Sequence, residues 1–266
     1  MTAPFATAKD IDALRQRLGA ALSRTSRQYG LLAPGDRILV AVSGGKDSYA
    51  LLHLLQRVSR KLPFAISLHA IHVHAGHPEH DPTPLLDWLA NTGVPFDIAR
   101  ANFYADVQQH TQAGESPCAL CSRMRRGVLY TWAQKRGCNK IALGHHLEDT
   151  LATFMMNLCY TGRLQAMPPR YTTADGRFEV IRPLVEISQA DIAALAQALR
   201  FPIVACRTCP PMPHHRRTYM EEWLETLSAQ HPRLKTVMLG ALKNVRPTHL
   251  FDPTVQRVPR EPNDEP

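Results

Sequence analysis

Apolar positions along the chain form one-sided stripes and short unbroken runs that alternate as far as residue 159. Ile11, Leu14, Leu18 and Leu22 recur at helical spacing, predicting an amphipathic helix over residues 10–28. Arg15, Arg17, Arg24 and Arg27 lie between them and suit a solvated face, with contact to a nucleic-acid backbone as the alternative. After the Pro34-Gly35 turn, Arg37–Val42 is a buried-strand pattern and Tyr49–Val58 a helix burying Leu51, Leu52 and Leu55. Phe64–Val73 predicts a second strand, Leu85–Asn91 a short helix ended by Gly93, Phe96–Ile98 a short strand, and Cys118–Arg136 a helix stopped by Gly137. Lys140–Leu143 and Leu147–Cys159 repeat the strand and helix. This order predicts an α/β fold, a mainly parallel sheet with helices on both faces, which collects ligands at the carboxyl ends of its strands.

Beyond residue 159 the pattern changes. Asp175-Gly176 between Tyr171–Thr173 and Phe178–Ile181 predicts a hairpin, and Ser188 with Asp191 a capping box for a helix to Leu199. The C-terminal part is expected to be mostly helical, with Pro232 near a helix start and a mobile tail from Pro253. The net charge of +8 favours an anionic partner such as nucleic acid. No apolar run is long enough to cross a bilayer and the N-terminus lacks signal-peptide order, which predicts a cytoplasmic protein without a membrane partner. In that reducing compartment six cysteines point to metal or redox chemistry rather than disulfides. Cys138 and Cys159 stand alone and are expected to be small buried hydrophobes.

Ser43-Gly44-Gly45-Lys46-Asp47-Ser48 joins the first strand to its helix. Adjacent glycines let backbone N–H groups surround an anion, and the helix N-terminus adds partial positive charge. Ser43 and Ser48 can donate hydroxyl bonds and Lys46 brings a cation. Asp47 repels phosphate, so its useful role is to hold a magnesium ion bridging to phosphate oxygens. The spacing is not that of the Gly-x4-Gly-Lys-Ser/Thr loop. Gly144-His145-His146-Leu147-Glu148-Asp149 also leaves a strand and opens a helix, so it belongs on the same rim. Asp149 is then either a helix-terminal carboxylate or a magnesium partner.

Cys118-Ala119-Leu120-Cys121 and Cys206-Arg207-Thr208-Cys209 are two Cys-x-x-Cys pairs far apart in sequence. Such pairs can meet at one metal centre, and the spacing accepts zinc as readily as an iron–sulfur cluster.

The Ser43–Ser48 loop resembles the signature of the ATP-pyrophosphatase (PP-loop) superfamily, whose members cleave ATP between the α- and β-phosphates and adenylate a substrate oxygen. It is followed by Pro117–Gly127 around the first cysteine pair, Gly144-His145-His146, Gly162-Arg163 with Met167-Pro168-Pro169, Ile181-Arg182-Pro183-Leu184, Phe201-Pro202-Ile203 and the Cys206 pair. In this order the motifs resemble tRNA 2-thiocytidine synthetases, from about residue 10 to residue 252. The resemblance implies an adenine nucleotide α-hydrolase-like fold and an ATP-dependent enzyme that thiolates C2 of cytidine 32 in the tRNA anticodon loop. It implies ATP held by Ser43, Gly44, Gly45, Lys46, Asp47, Ser48, Gly144, His145 and His146, with Lys46 and Asp47 in the catalytic machinery and Mg2+ as the metal partner of ATP. It further implies a [4Fe-4S] cluster on Cys118, Cys121 and Cys206, its fourth iron open to sulfide, and leaves Cys209 as spare thiol, sulfur carrier or fourth ligand. The implied partners are tRNA and a cysteine desulfurase or other sulfide donor, with a homodimer left open.

Thiolation of a uridine is the nearest enzymatic alternative, and a zinc-stabilised RNA-binding protein the alternative of another class. Two segments depart from the family pattern. His72-Val73-His74-Ala75-Gly76-His77 brings histidines that can bind metal or, as the favoured reading, contact nucleotide or solvent at the rim, and Pro210–His215 has an unusual composition. Arg123, Arg125 and Arg126, with Arg207, Arg216 and Arg217, are expected to form a basic rim for RNA phosphates. The expected organisation is an N-terminal helix (1–30), an ATP-binding domain (31–205), a helical segment with the second cysteine pair (206–252) and a tail (253–266).

Overall fold

The computed structural model describes residues 7–111, 117–204 and 216–255. Helix α1 (Ala8–Tyr29) starts at a reciprocal cap, in which the Thr7 hydroxyl accepts the Asp10 N–H and the Asp10 carboxylate accepts the Thr7 N–H. It ends where Gly30 turns left-handed at φ 61°. Next come β1 (Arg37–Ala41), α2 (Lys46–Ser59), β2 (Ser67–His74), α3 (Thr83–Ala90), β3 (Phe96–Arg100), α4 (Tyr104–His110), α5 (Cys118–Lys135), β4 (Lys140–Ala142) and α6 (Leu147–Thr161). The hairpin strands β5 (Arg170–Thr172) and β6 (Glu179–Ile181) follow, then α7 (Gln189–Ala198).

The strands form one sheet in the order β3-β2-β1-β4-β6-β5, parallel except for the β5–β6 pair. Alternation of side chains along β1 explains the two faces. Ile38 and Val40 enter a core with Leu18 and Leu22 of α1, Leu51 and Leu55 of α2, and Leu195 of α7. Leu39 enters a second core with Leu129 and Ala133 of α5. The expected mainly parallel sheet with helices on both faces is what the chain forms.

The two compact units divide between Glu221 and Glu222. In the first unit α1 packs on α2 and α7. The second holds the end of α8 (Arg216–Gln230), α9 (Leu234–Ala241) and a 3-10 turn at Pro247–His249, with Lys235 paired to Glu225. Among the described residues no helix is long and apolar enough to cross a membrane.

Two sequence expectations need correction, and one helix was not foreseen. Helix α4 is absent from the apolar pattern because only Val107 of its seven residues is buried. Cys159 is exposed, unlike Cys138, because the last turn of α6 runs beyond the core and leaves Leu158 and Tyr160 exposed too. Ser188 does cap α7 by accepting the Asp191 N–H, but the Asp191 carboxylate takes a two-pronged bond from Arg17 rather than closing the box.

Candidate active site

Chain order makes the site. From β1 the chain moves outward through β2 to β3, then crosses back to lay β4 on the other side of β1. The loops after β1 and β4 therefore flank the crevice where strand order reverses, the position at which open parallel sheets bind ligands.

The first loop carries Ser43 to Ser48. Gly44 adopts φ 92°, and a Cβ there would lie 3.1 Å from the Cβ of Val204. The Val204 N–H donates to the Gly44 carbonyl at 2.9 Å. Ser48 is buried; its hydroxyl donates to the Gly45 carbonyl at 2.8 Å and accepts the Ser43 N–H at 3.1 Å, so it holds the loop's shape. Gly45 precedes α2, and the first-turn N–H groups of Lys46 and Asp47 have no carbonyl one turn back to bond. Lys46 Nζ lies 3.1 Å from Asp47 Oδ1 and 3.2 Å from Oδ2. Asp47 Oδ1 is buried, within ion-pair range of Lys46 but with no aligned hydrogen-bond donor among the described residues.

The second loop is pressed against the first. A Cβ on Gly144 would fall 3.1 Å from the carbonyl carbon and oxygen of Asp47 and 3.2 Å from the Ser48 nitrogen, so a side chain there would force backbone apart by a few tenths of an ångström. The adjacent histidines have opposite surroundings. Burial, reinforced by the Arg182 guanidinium, pushes His145 down to about 4, and its Nδ1 accepts a 3.2 Å bond from Arg182 Nε. Arg182 also donates to the Pro168 carbonyl, tying down the Met167-Pro168-Pro169 segment. His146 is buried as well, which alone would lower its pKa, but Glu148, Asp149 and Asp47 raise it on balance. Its Nε2 is 3.4 Å from Asp149 and 3.8 Å from Asp47, and its Nδ1 is 3.2 Å from Glu148 without hydrogen-bond alignment. Asp149 accepts the His146 N–H at the start of α6 and a bond from Arg217.

Cys118 and Cys121 lie in the first turn of α5, Cys118 exposed and Cys121 buried against Ala75 at the carboxyl end of β2, Phe103 after β3 and Val107 of α4. Helical spacing puts Cys118, Cys121 and Arg125 on one face. Arg125 reaches a cleft of about 130 Å³ shared with Ser43 and Gly45, where its buried Nε has no hydrogen-bond partner among the described residues. The cleft thus joins the cysteine helix to the anion loop. Cys206 and Cys209 lie outside the described residues, as does the Pro210–His215 segment.

Histidines line the same cleft. His72 is buried, not exposed to solvent at the rim, because its Nδ1 bonds the Val42 carbonyl and its ring stacks on His80. Its pKa is pushed to about 4, chiefly by burial. His74 and His77 are half-buried. Among the described residues no group of three or more His, Cys, Asp or Glu is arranged to hold a metal ion. Sequence reasoning placed Arg125 on an RNA-binding rim rather than in the cleft and missed His80. The spacing from Cys121 to Arg125 carried the first signal; none marked the second.

The PP-loop domain family matches residues 15–207. A tRNA-cytidine(32) 2-sulfurtransferase from Anaeromyxobacter sp. (strain K) is 42% identical over 249 residues, 94% of this chain and 86% of that protein. The chain belongs to this family of PP-loop proteins. The tRNA-cytidine(32) 2-sulfurtransferase of Xanthomonas euvesicatoria is 43% identical over 243 residues, covering 90% of this chain and 80% of that one. Among solved structures, the U34-tRNA thiolase NcsA from Methanococcus maripaludis with its [4Fe-4S] cluster has a TM-score of 0.70, covering 92% of this chain and 86% of its own at 20% identity, a likeness of fold.

The residues present fit ATP and magnesium. Gly45, with no side chain, lines the cleft beside Ser43 at the start of α2, and Asp47 Oδ1 lacks a hydrogen-bond donor among the described residues. Asp47 and Asp149 both approach His146, and magnesium is commonly held by one or two carboxylates together with substrate phosphates. Two thiols in one helical turn suit a thiolate-bound metal centre.

Proposed function

We infer that this chain is an ATP-dependent tRNA sulfurtransferase that replaces the C2 oxygen of cytidine 32 with sulfur. The observation that carries the reading is the cleft itself, in which an anion loop and a cysteine-bearing helix share one wall through Arg125. Family membership supplies the substrate class.

The difficulty in the reaction is that oxide is a poor leaving group. Attack of the base oxygen on the α-phosphorus breaks the α–β phosphoanhydride bond, and pyrophosphate leaves. Sulfide then takes the place of the adenylated oxygen at C2, and AMP departs. The N–H groups at Gly44, Gly45 and the start of α2, with Lys46, would neutralise the departing pyrophosphate. Asp47, with Asp149 as second carboxylate, would hold magnesium against the phosphate oxygens. Arg125 would meet the nucleotide from the cleft it lines with Ser43 and Gly45, while Ser43 and Ser48 keep the loop's shape and Gly144, His145 and His146 form its second side. Cys118, Cys121 and Cys206 would hold a [4Fe-4S] cluster that supplies a site for sulfur. A cysteine desulfurase or another sulfide source feeds the reaction, and the tRNA substrate puts the enzyme in the cytoplasm.

Nucleoside mass spectrometry of tRNA from a deletion strain tests this reading. Loss of 2-thiocytidine is expected; unchanged 2-thiocytidine with loss of a 2-thiouridine would move the activity to uridine. Anaerobically purified protein should be brown, and Cys118→Ala, Cys121→Ala or Cys206→Ala should each lose both colour and thiolation while Cys209→Ala keeps the colour. A colourless zinc protein without ATP turnover would favour a non-catalytic RNA-binding role.

A further inference from the structure

Helix α6 begins at the nucleotide crevice and runs away from it. Asp149, Thr153 and Tyr160 are separated by four and seven residues, so they lie along one face, with Tyr160 about 16 Å beyond Asp149 at 1.5 Å per residue. The start of α8 covers this face. Arg217 bonds Asp149 and Thr153, and the Arg216 guanidinium stands over the Tyr160 ring, 4.9 Å from its centroid.

Tyr160 is 42% exposed, and Leu158 and Leu164 beside it in sequence are 42% and 67% exposed. Exposed aromatic and aliphatic side chains at a helix end have no part in the core described above. Along this part of the chain the charge is one-sided: from Thr150 to Ala174 the sequence holds no acidic residue, while Arg163 and Arg216 are exposed. An aromatic ring with a cation over it, in a stretch without carboxylates, suits a flat and polyanionic ligand. Single-stranded nucleic acid is bound in this way, its bases stacking on aromatic rings and its backbone meeting arginines.

We propose that Tyr160, braced by Arg216, is a stacking platform for an unpaired base of the tRNA anticodon loop that flanks the reactive nucleotide. The distance from Asp149 assigns it a flanking base, because the reacting base must reach the ATP phosphates at the other end of α6. Tyr160 is a positioning residue: it holds the loop so that its neighbour enters the crevice. This inference rests on reading the chain as a tRNA-thiolating enzyme.

The test is binding of a fluorescent anticodon stem–loop RNA, followed by anisotropy, to the full-length protein. Tyr160→Ala should weaken binding about 5- to 150-fold, the range for loss of one stacked base. Tyr160→Phe should bind like the wild type, and ATP binding and thermal unfolding should be unchanged in both. Abasic substitutions walked through the loop should reveal one flanking position that weakens the wild type but has no further effect on Tyr160→Ala. Arg216→Ala should also flatten the salt dependence of binding, whereas Tyr160→Ala should not. Equal binding by wild type and Tyr160→Ala, or abasic losses that add fully to Tyr160→Ala at every position, would overturn the proposal. So would a wild-type dimer that Tyr160→Ala converts to monomer, which would make the patch a contact between copies. Failure of the wild type itself to bind the stem–loop would refute the functional reading beneath it, a result distinct from all of these.

Discussion

Replacing Gly144 with alanine asks whether the two loops of the crevice must touch. The added Cβ would meet three backbone atoms of Asp47 and Ser48 at 3.1–3.2 Å, several tenths of an ångström inside ordinary contact. These atoms belong to the first turn of α2, so the strain cannot be relieved by rotating a side chain. Overpacking of this kind costs about 1–3 kcal/mol, and at this chain length about 2–4 °C of melting temperature accompanies each kcal/mol. Gly45 provides the contrast. Its φ is −82° and a Cβ there would find only the Ser43 hydroxyl at 3.6 Å, an ordinary contact. Gly45→Ala should therefore cost about 0.5–1 kcal/mol, as the loss of a preferred helix-cap residue. Thermal unfolding and equilibrium ATP binding, measured on both variants, separate two needs of the loop. Gly144→Ala should lose stability and ATP affinity together, whereas Gly45→Ala should stay folded and lose ATP affinity because the phosphates need the space. A Gly144→Ala protein with wild-type melting temperature and ATP affinity would refute the argument that the loops form one packed body.

At the opposite end of the sheet, Lys140 is 5% exposed and its ammonium meets Asp36 at 2.9 Å, Glu179 at 3.1 Å and the Leu31 carbonyl at 3.0 Å. Lys140→Met leaves buried Asp36 without its cation and should cost about 3–5 kcal/mol in urea unfolding, with ATP affinity retained by the folded fraction. His72 should make stability depend on pH. Its folded-state value of about 4 lies below the unfolded 6.5, so its contribution is complete above pH 6.5 and falls as the pH drops towards 4. The full effect is about 3 kcal/mol, and His72→Gln should flatten that part of the urea midpoint-against-pH curve; an unchanged slope would refute it.

Much of the fold was legible because its signals are local. Alternating runs and stripes located β1, α2, β4 and α6, and Asp175-Gly176 located the β5–β6 hairpin. The two strand-end loops were legible through glycines whose roles are steric: Gly44 at φ 92° and Gly144 against the α2 backbone. What escaped depends on contacts between distant segments. The ion network at Lys140 draws on three strand ends, and the opposite shifts of His145 and His146 depend on burial together with Arg182 and Asp47, which are distant in sequence, as well as on the neighbouring Glu148 and Asp149. His72 and His80 form a stacked pair only because the loop after β2 folds back over the strand end.

The topology also explains why the Ser43–Ser48 loop and the first cysteine pair occur together. β2, β1 and β4 are neighbours, and each contributes its carboxyl end to the site. β1 supplies the anion loop, β4 supplies the glycine contact that fixes that loop, and β2 supplies Ala75, against which Cys121 packs. A helix anchored there turns Arg125 into the cleft beside Ser43 and Gly45. Displacing α5 would therefore disturb the cleft wall beside Ser43 and Gly45 as well as the cysteines, even with every residue of the Ser43–Ser48 loop intact. For a reaction that must activate an oxygen and then deliver sulfur to the same carbon, a shared wall keeps both chemistries within reach of one base.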